Sequence, residues 1–130
     1  MFVDTSAFYA LLDRDDAFHR DGADCWRALV MGGGPLVTHN YVVVETVALV
    51  QHRLGVQAAR VLNDDVLPRV NILWIDEHLH GAAMIACLAS GRRNISLVDW
   101  ASFEVMRAHA AQDAFAFDSH FSRQGFTVIP

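Results

Sequence analysis

The sequence predicts an α/β fold in which helices cover both faces of a parallel β-sheet, giving three layers, α/β/α. Short apolar runs alternate along the chain with longer segments of helical period, which is the pattern of repeated β–α–β units. Continuously apolar runs are typical of parallel strands that are buried on both faces. The chain has 130 residues, 53% of them hydrophobic, so we expect one domain, residues 1–130, with a substantial core.

Five short runs rich in apolar residues are predicted to form the strands. In chain order they are Met1–Asp4, Leu36–Thr38, Val70–Ile75, Ala114–Phe117 and Thr127–Ile129. Six longer segments carry apolar residues at helical spacing. They are Ser6–Leu12, His19–Met31, Tyr41–Leu54, Val56–Leu67, Glu77–Ser90 and Leu97–Ala111. The run Gly32-Gly33-Gly34-Pro35 separates the second helix from the second strand, and Gly55 marks the break between the third and fourth helices.

Two aspartates end predicted strands where such a sheet binds ligands. Ligand sites in open parallel sheets lie beyond the carboxyl ends of the strands, at the point where the strand order reverses. Asp4 ends the first strand, MFVD, and Asp118 follows the fourth strand in AFAFD. We therefore expect both carboxylates at the same edge of the sheet.

Two further carboxylates reach this edge from helices. The helix Tyr41–Leu54 follows the second strand and begins at the carboxyl edge, so Glu45 lies only ~7 Å along its axis. The helix Leu97–Ala111 leads into the fourth strand through a tight turn and must run antiparallel to it. Asp99, in the first turn of that helix, therefore also lies at the carboxyl edge. The topology alone predicts that Asp4, Glu45, Asp99 and Asp118 converge.

This convergence predicts a cation site. At ~5 Å and an effective dielectric of ~20, one pair of like charges costs about 3 kcal/mol, so a carboxylate cluster needs a neutralising partner. Oxygen ligands without cysteine or an obligatory histidine select hard cations, Mg²⁺ or Mn²⁺, over Zn²⁺. One or two such ions can activate a water molecule and stabilise the leaving oxygen of a phosphodiester. The predicted reaction class is metal-assisted phosphodiester hydrolysis.

Each carboxylate also has a simpler interpretation. Asp4 and Asp118 are favourable N-cap residues, the latter for a short helix at Ser119–Gln124. Ser96 and Asp99 have the spacing of a capping box. Glu45 interrupts an apolar helix face, and its alternative role is an ion pair with Arg53 or another arginine.

The remaining acidic and histidine residues are given structural roles. Asp76 also follows a strand and is interpreted as a helix N-cap, because its strand lies at the sheet margin if the strand order is 3-2-1-4-5. Asp13, Asp15 and Asp16 are interpreted as a solvent-exposed acidic turn. His78 and His80 are interpreted as surface residues, because residues two apart do not share a helix face.

Composition excludes several other classes. The chain carries ten arginines, no lysine and a net charge of −5. Without lysine there is no P-loop, and both response-regulator receivers and haloacid-dehalogenase-like phosphatases typically need a lysine near their aspartate. The negative charge is unfavourable for nucleic-acid binding unless cations neutralise it.

Cys25 and Cys87 lack metal-ligand spacing and are expected to be reduced thiols. The absence of a signal-like segment or long apolar run predicts a cytoplasmic protein without a membrane span.

Three segments resemble known motifs of one family. FVDTSAFYALLDRDDAFH, HNYVVVETVALVQHRLG and ISLVDWASFEVMRAHAAQDAFAFDSHFSRQGF resemble the motifs of PIN domains, particularly of VapC-type toxins, with the acidic residues in the expected order. The resemblance implies a sheet of strand order 3-2-1-4-5 and a metal-dependent endoribonuclease. It further implies a homodimer with an RNA substrate and inhibition by a cognate antitoxin. Alternatives are a PIN nuclease of RNA processing and a non-catalytic PIN scaffold.

The resemblance also assigns roles to residues. It implies that Asp4, Glu45, Asp99 and Asp118 are catalytic and hold Mg²⁺ or Mn²⁺, supported by hydrogen bonds from Ser6 and Ser96. Arginines near this edge are candidates for RNA phosphate contacts: Arg92 and Arg93 first, then Arg14 and Arg53. His39 and His120 are candidates to line the cleft, although an ordinary surface position is the favoured interpretation for both.

Overall fold

A five-stranded, all-parallel sheet forms the centre of the computed structural model, which describes all residues, Met1–Pro130. Its strands are β1 (Phe2–Val3), β2 (Val37–His39), β3 (Asn71–Leu73), β4 (Asp113–Phe115) and β5 (Thr127–Ile129). They lie in the order β3-β2-β1-β4-β5, which confirms the predicted order 3-2-1-4-5. Phe2 pairs with Val37 on one side and with Ala114 on the other, so β1 and β4 flank the reversal of strand order.

Helices connect all of the strands. They are α1 (Thr5–Leu12), α2 (His19–Gly32), α3 (Asn40–Leu54), α4 (Val56–Val61), α5 (Glu77–Ser90), α6 (Leu97–Ala108) and α7 (His120–Arg123). Parallel crossovers are right-handed, so the helices between β1 and β3 lie on one face and those after β3 on the other. The predicted three-layer α/β/α fold is confirmed. None of the helices is both long and apolar enough to span a membrane.

Two helix ends differ from the prediction by more than one residue. The predicted helix Val56–Leu67 is regular only to Val61 and continues as a π-helical turn, Leu62–Val66, and a 3₁₀ turn. Pro68 in that last turn cannot continue an α-helix, and the wider turn places Leu62 and Val66 in the core. The helix predicted to reach Ala111 ends at Ala108 because Ala110 adopts a left-handed conformation, without the glycine or proline that would have marked the end.

The core fixes the carboxyl edge of the sheet. Phe2, Val3 and Phe115, in the two central strands, are fully buried, together with Phe103 of α6 and Phe121 of α7. Burial of one such side chain contributes about 1.5–3 kcal/mol. Because residues 4 and 118 follow β1 and β4 closely, this packing fixes where their side chains begin.

Candidate active site

One cavity of about 370 Å³ lies at the carboxyl edge of the sheet. Its lining includes all four predicted carboxylates and both predicted serines: Asp4, Glu45, Asp99, Asp118, Ser6 and Ser96. The convergence expected from topology is therefore present. The structure adds Asp16, which sequence reasoning placed in a solvated turn, and Tyr9, Phe18 and Phe117 to the walls of this acidic cavity.

Asp4 is the most deeply buried of the four acids. It is only 5% exposed, and its Oδ2 atom accepts hydrogen bonds from the Ser6 amide at 3.1 Å and from the Ser6 hydroxyl at 2.6 Å. Burial raises the pKa of Asp4 to about 6, against the lowering effect of Ser6, and repulsion from Asp99 adds to the rise. Asp4 thus caps α1 and also lines the cavity, so the two interpretations of this residue are compatible.

Asp99 combines the same two roles. Its carboxylate accepts the Ser96 amide at 3.0 Å, and its own amide donates to the Ser96 hydroxyl at 3.2 Å, which is the predicted capping box. Burial raises the pKa of Asp99, and repulsion from Asp118 adds to the rise, while Ser96 and His120 lower it. Because Asp99 also raises the pKa of Asp4 and of Glu45, it is the electrostatic centre of the cluster.

Glu45 lies in α3 without an ion pair. Burial raises its pKa first, and Asp99 raises it further, while Thr5 lowers it. The proposed ionic partner lies elsewhere, because the Arg53 guanidinium is 5.6 Å from the centre of the Tyr9 ring. The ion-pair interpretation of Glu45 is therefore wrong in this structure.

His120 is not the surface residue that the sequence predicts. Its side chain is only 14% exposed, and its Nδ1 atom lies 3.1 Å from Asp118 Oδ1 and 3.7 Å from Asp99 Oδ2. Nδ1 is buried and has no hydrogen-bond partner, whereas the backbone N–H of His120 donates to Asp118 at 2.8 Å. The available sequence signal was its position two residues after Asp118.

His39 is also not a surface residue, and it does not line the acidic cavity. It is fully buried and accepts the Val42 amide at Nδ1, while Nε2 lies 2.8 Å from the Ser102 hydroxyl. Since that hydroxyl donates to the Val98 carbonyl, the network assigns the ring proton to Nε2. Burial lowers the pKa of His39 to about 4, so His39 is a neutral residue that caps α3.

The candidate arginines lie outside the acidic cavity. Arg92 and Arg93 are exposed in the loop between α5 and α6, and Arg92 lines a separate, neighbouring cavity. Asp76 also lies outside, capping α5 through the Leu79 amide at 2.8 Å, as predicted. An aromatic pair at the wall was not predicted: the rings of Phe18 and Phe117 stack at 4.6 Å.

The side chains of the acidic cavity fit a divalent cation. One carboxylate oxygen each of Asp99 and Asp118 and one ring nitrogen of His120 lie within 4.8 Å of one another. The Nδ1 atom of His120 faces both carboxylates without a hydrogen bond, and no arginine pairs with the clustered acids, so a cation would supply the neutralising charge. The His120 imidazole adds a nitrogen to the predicted oxygen-only set of metal ligands. A ring nitrogen is a more typical ligand of transition metals than of Mg²⁺.

Comparison with known proteins shows the family and the solved structures that the chain resembles. Residues 1–127 match the PIN domain family. The chain is 34% identical over 134 residues to the 23S rRNA-specific endonuclease VapC20 of Mycobacterium tuberculosis, covering 99% of this chain and 97% of that protein. The crystal structure of M. tuberculosis VapC20, a sarcin-ricin loop cleaving toxin, matches with a TM-score of 0.86 at 34% identity, over 99% of this chain and 98% of that chain. The crystal structure of FitAcB from Neisseria gonorrhoeae shares the fold, with a TM-score of 0.71 at 16% identity over 99% and 96% of the two chains.

Proposed function

Because this chain belongs to the PIN domain family, we propose that it is a divalent-metal-dependent endoribonuclease and the toxin of a toxin–antitoxin pair. The observation that carries the proposal is the single cavity lined by Asp4, Glu45, Asp99 and Asp118. Four acids from distant parts of the chain are costly to hold together, and metal-assisted phosphodiester hydrolysis uses such a set.

The four carboxylates would hold Mg²⁺ or Mn²⁺, with His120 beside Asp99 and Asp118. A bound divalent ion supplies a Lewis acid that stabilises charge on phosphate oxygens and lowers the pKa of water. Ser6 orients the Asp4 carboxylate, and Ser96 orients that of Asp99. Phe18, half exposed at the wall, presents ring surface on which an unpaired nucleobase can stack.

The substrate class follows from the relative that covers the full chain. VapC20 is a 23S rRNA-specific endonuclease, and we propose that ribosomal RNA is also the substrate here. The purified protein should cut 23S rRNA with Mn²⁺ or Mg²⁺ and should not cut it with EDTA. Asp4→Asn should abolish cleavage, whereas Asp76→Asn, a matched helix cap outside the cavity, should retain it. Cleavage that persists in EDTA and in Asp4→Asn would refute the proposal.

The toxin role needs its own test. Expression of the wild-type chain should arrest bacterial growth, and Asp99→Asn should not. Co-expression of the small protein encoded by the neighbouring gene should restore growth and inhibit cleavage in vitro, as expected for a cognate antitoxin. Active enzyme without growth arrest would instead favour a PIN nuclease of RNA processing.

We also propose that the chain is a homodimer. Ile85 and Leu88 stand one turn apart on α5, and each is 73% exposed, an apolar stripe that a second copy would cover. Light scattering after size-exclusion chromatography should give twice the 14.4 kDa chain mass, and Ile85→Glu should give the monomer. A wild-type monomer would contradict the dimer and leave the nuclease proposal unaffected.

A further inference from the structure

A second cavity, of about 360 Å³, lies next to the acidic cavity and has the opposite charge. Its lining combines two arginines with polar and apolar residues and contains no acidic side chain. The lining residues are Ser90, Arg92, Ile95, Trp100, Arg123 and Gln124. We call it the arginine pocket.

The two cavities share their supporting elements. Trp100 of the arginine pocket directly follows Asp99 of the acidic cavity on α6, and successive side chains on a helix point in different directions. Arg123 lies one turn after His120 on α7, and residues three apart on a helix are neighbours, about 5–6 Å apart. The arginine pocket therefore adjoins the end of the acidic cavity where Asp99 and His120 lie.

Hydrogen-bond donors in the arginine pocket lack acceptors. The indole Nε1 of Trp100 also has no partner, but it is closed to solvent and therefore to a ligand. The Arg92 and Arg123 side chains form neither an ion pair nor a hydrogen bond within the chain. The side-chain carbonyl of Gln124 accepts from Arg107 at 2.9 Å, and its amide N–H groups have no acceptor within the chain. A ligand that satisfies these groups must be an acceptor, and two guanidinium groups select an anion.

We propose that the arginine pocket binds a phosphate of the RNA substrate near the scissile one, an inference that rests on the proposed nuclease function. The acidic cavity repels a polyanion, and the chain as a whole carries a charge of −5, so RNA needs a local cationic contact. Arg92 and Arg123 provide this contact beside the acidic cavity.

The binding test uses a fluorescein-labelled single-stranded RNA in EDTA, where cleavage is absent, at several salt concentrations. Arg92→Gln and Arg123→Gln should each weaken binding about tenfold and reduce the slope of log Kd against log salt by roughly 0.7. The matched control is Arg60→Gln, an exposed arginine of α4, which removes the same charge and should change Kd less than twofold.

The outcomes separate this proposal from the nuclease proposal. With metal and cleavable RNA, Arg92→Gln and Arg123→Gln should raise KM and leave kcat within twofold. If the wild type cleaves RNA but both variants behave like Arg60→Gln, the arginine pocket proposal is wrong and the nuclease stands. If the wild type does not cleave but both variants lose RNA binding, the nuclease proposal is wrong, and so is the position of the pocket beside a scissile phosphate, while its contact with RNA phosphate stands. Unchanged RNA binding with loss of binding to a poly-glutamate peptide would assign the pocket to an acidic protein partner and overturn the proposal.

Discussion

The hydroxyl of Ser6 accepts a hydrogen bond of 3.0 Å from the backbone N–H of Phe117, 111 residues later in the chain. The same hydroxyl donates to Asp4 at 2.6 Å. One side chain therefore joins the carboxylate that follows β1 to the backbone that follows β4, immediately before Asp118. The spacing of Asp4 and Asp118 is set by this bridge as well as by the sheet.

Removing the bridge should affect function more than stability. Ser6→Ala should lower kcat for RNA cleavage at least tenfold, because the Asp4 carboxylate loses its orientation. The free energy of unfolding should fall by only about 1–3 kcal/mol, the usual net value of the two hydrogen bonds that are lost. Ser122→Ala is the control, since that exposed hydroxyl bonds only the Ser119 carbonyl. Equal cleavage by both variants would show that the bridge does not position Asp4.

Without metal, Asp4 should destabilise the fold at neutral pH. Its pKa rises from 3.8 to about 6 on folding, so the folded state binds more protons than the unfolded state between these values. The contribution of Asp4 to the free energy of unfolding is therefore greatest below pH 3.8. It is lost as the pH rises through 6, and the loss is at most about 3 kcal/mol. Denaturant unfolding in EDTA should show Asp4→Asn to be more stable than wild type at pH 7.5, by about 1–3 kcal/mol.

The same measurement at pH 4 should show a much smaller difference, because Asp4 is then largely protonated in the folded protein. A wild type that is more stable than Asp4→Asn at pH 7.5 in EDTA would contradict the prediction that the buried Asp4 carboxylate destabilises the metal-free protein. Asp76→Asn serves as the comparison, since that exposed cap lies outside the cluster.

Metal affinity should rise with pH across the range in which Asp4 ionises. A cation competes with the proton for a carboxylate, and half of the Asp4 side chains are protonated near pH 6 in the metal-free protein. Fluorescence or calorimetric titration with Mn²⁺ should give weaker binding at pH 5.5 than at pH 7.5, with proton release on binding. Affinity independent of pH over this interval would exclude Asp4 from the ion site.

His120 should influence which ion binds. His120→Asn should weaken Mn²⁺ binding more than Mg²⁺ binding, because a ring nitrogen favours transition metals over Mg²⁺. His78→Asn, at an exposed position, is the matched control and should change neither affinity. If His120→Asn weakens both ions equally or neither, the ring does not contribute a ligand.

The convergence of the four carboxylates at one edge of the sheet could be predicted, because it follows from the direction of the chain. Once β1 and β4 are adjacent and parallel, the residues after them must meet, and α3 and α6 begin at the same edge. Capping did not compete with this arrangement, since Asp4 and Asp99 cap their helices and line the cavity together. The strand order itself came from the family resemblance.

The histidines could not be placed in this way, because their environments depend on packing between distant segments. His39 is buried through its contact with Ser102, 63 residues away. His120 is covered because α7 turns it toward Asp99. Arg92 and Arg123 likewise line one pocket although they are distant in the sequence, and no local sequence pattern predicts that they come together.

The most direct measurement is calorimetric titration of metal-free protein with Mn²⁺ at pH 7.5. The wild type should bind the ion, and Asp4→Asn, Asp99→Asn and Asp118→Asn should each weaken binding at least tenfold, while Asp76→Asn binds as the wild type does. If the wild type shows no binding at millimolar Mn²⁺, or if the three cavity variants match Asp76→Asn, these remote carboxylates do not form a cation site.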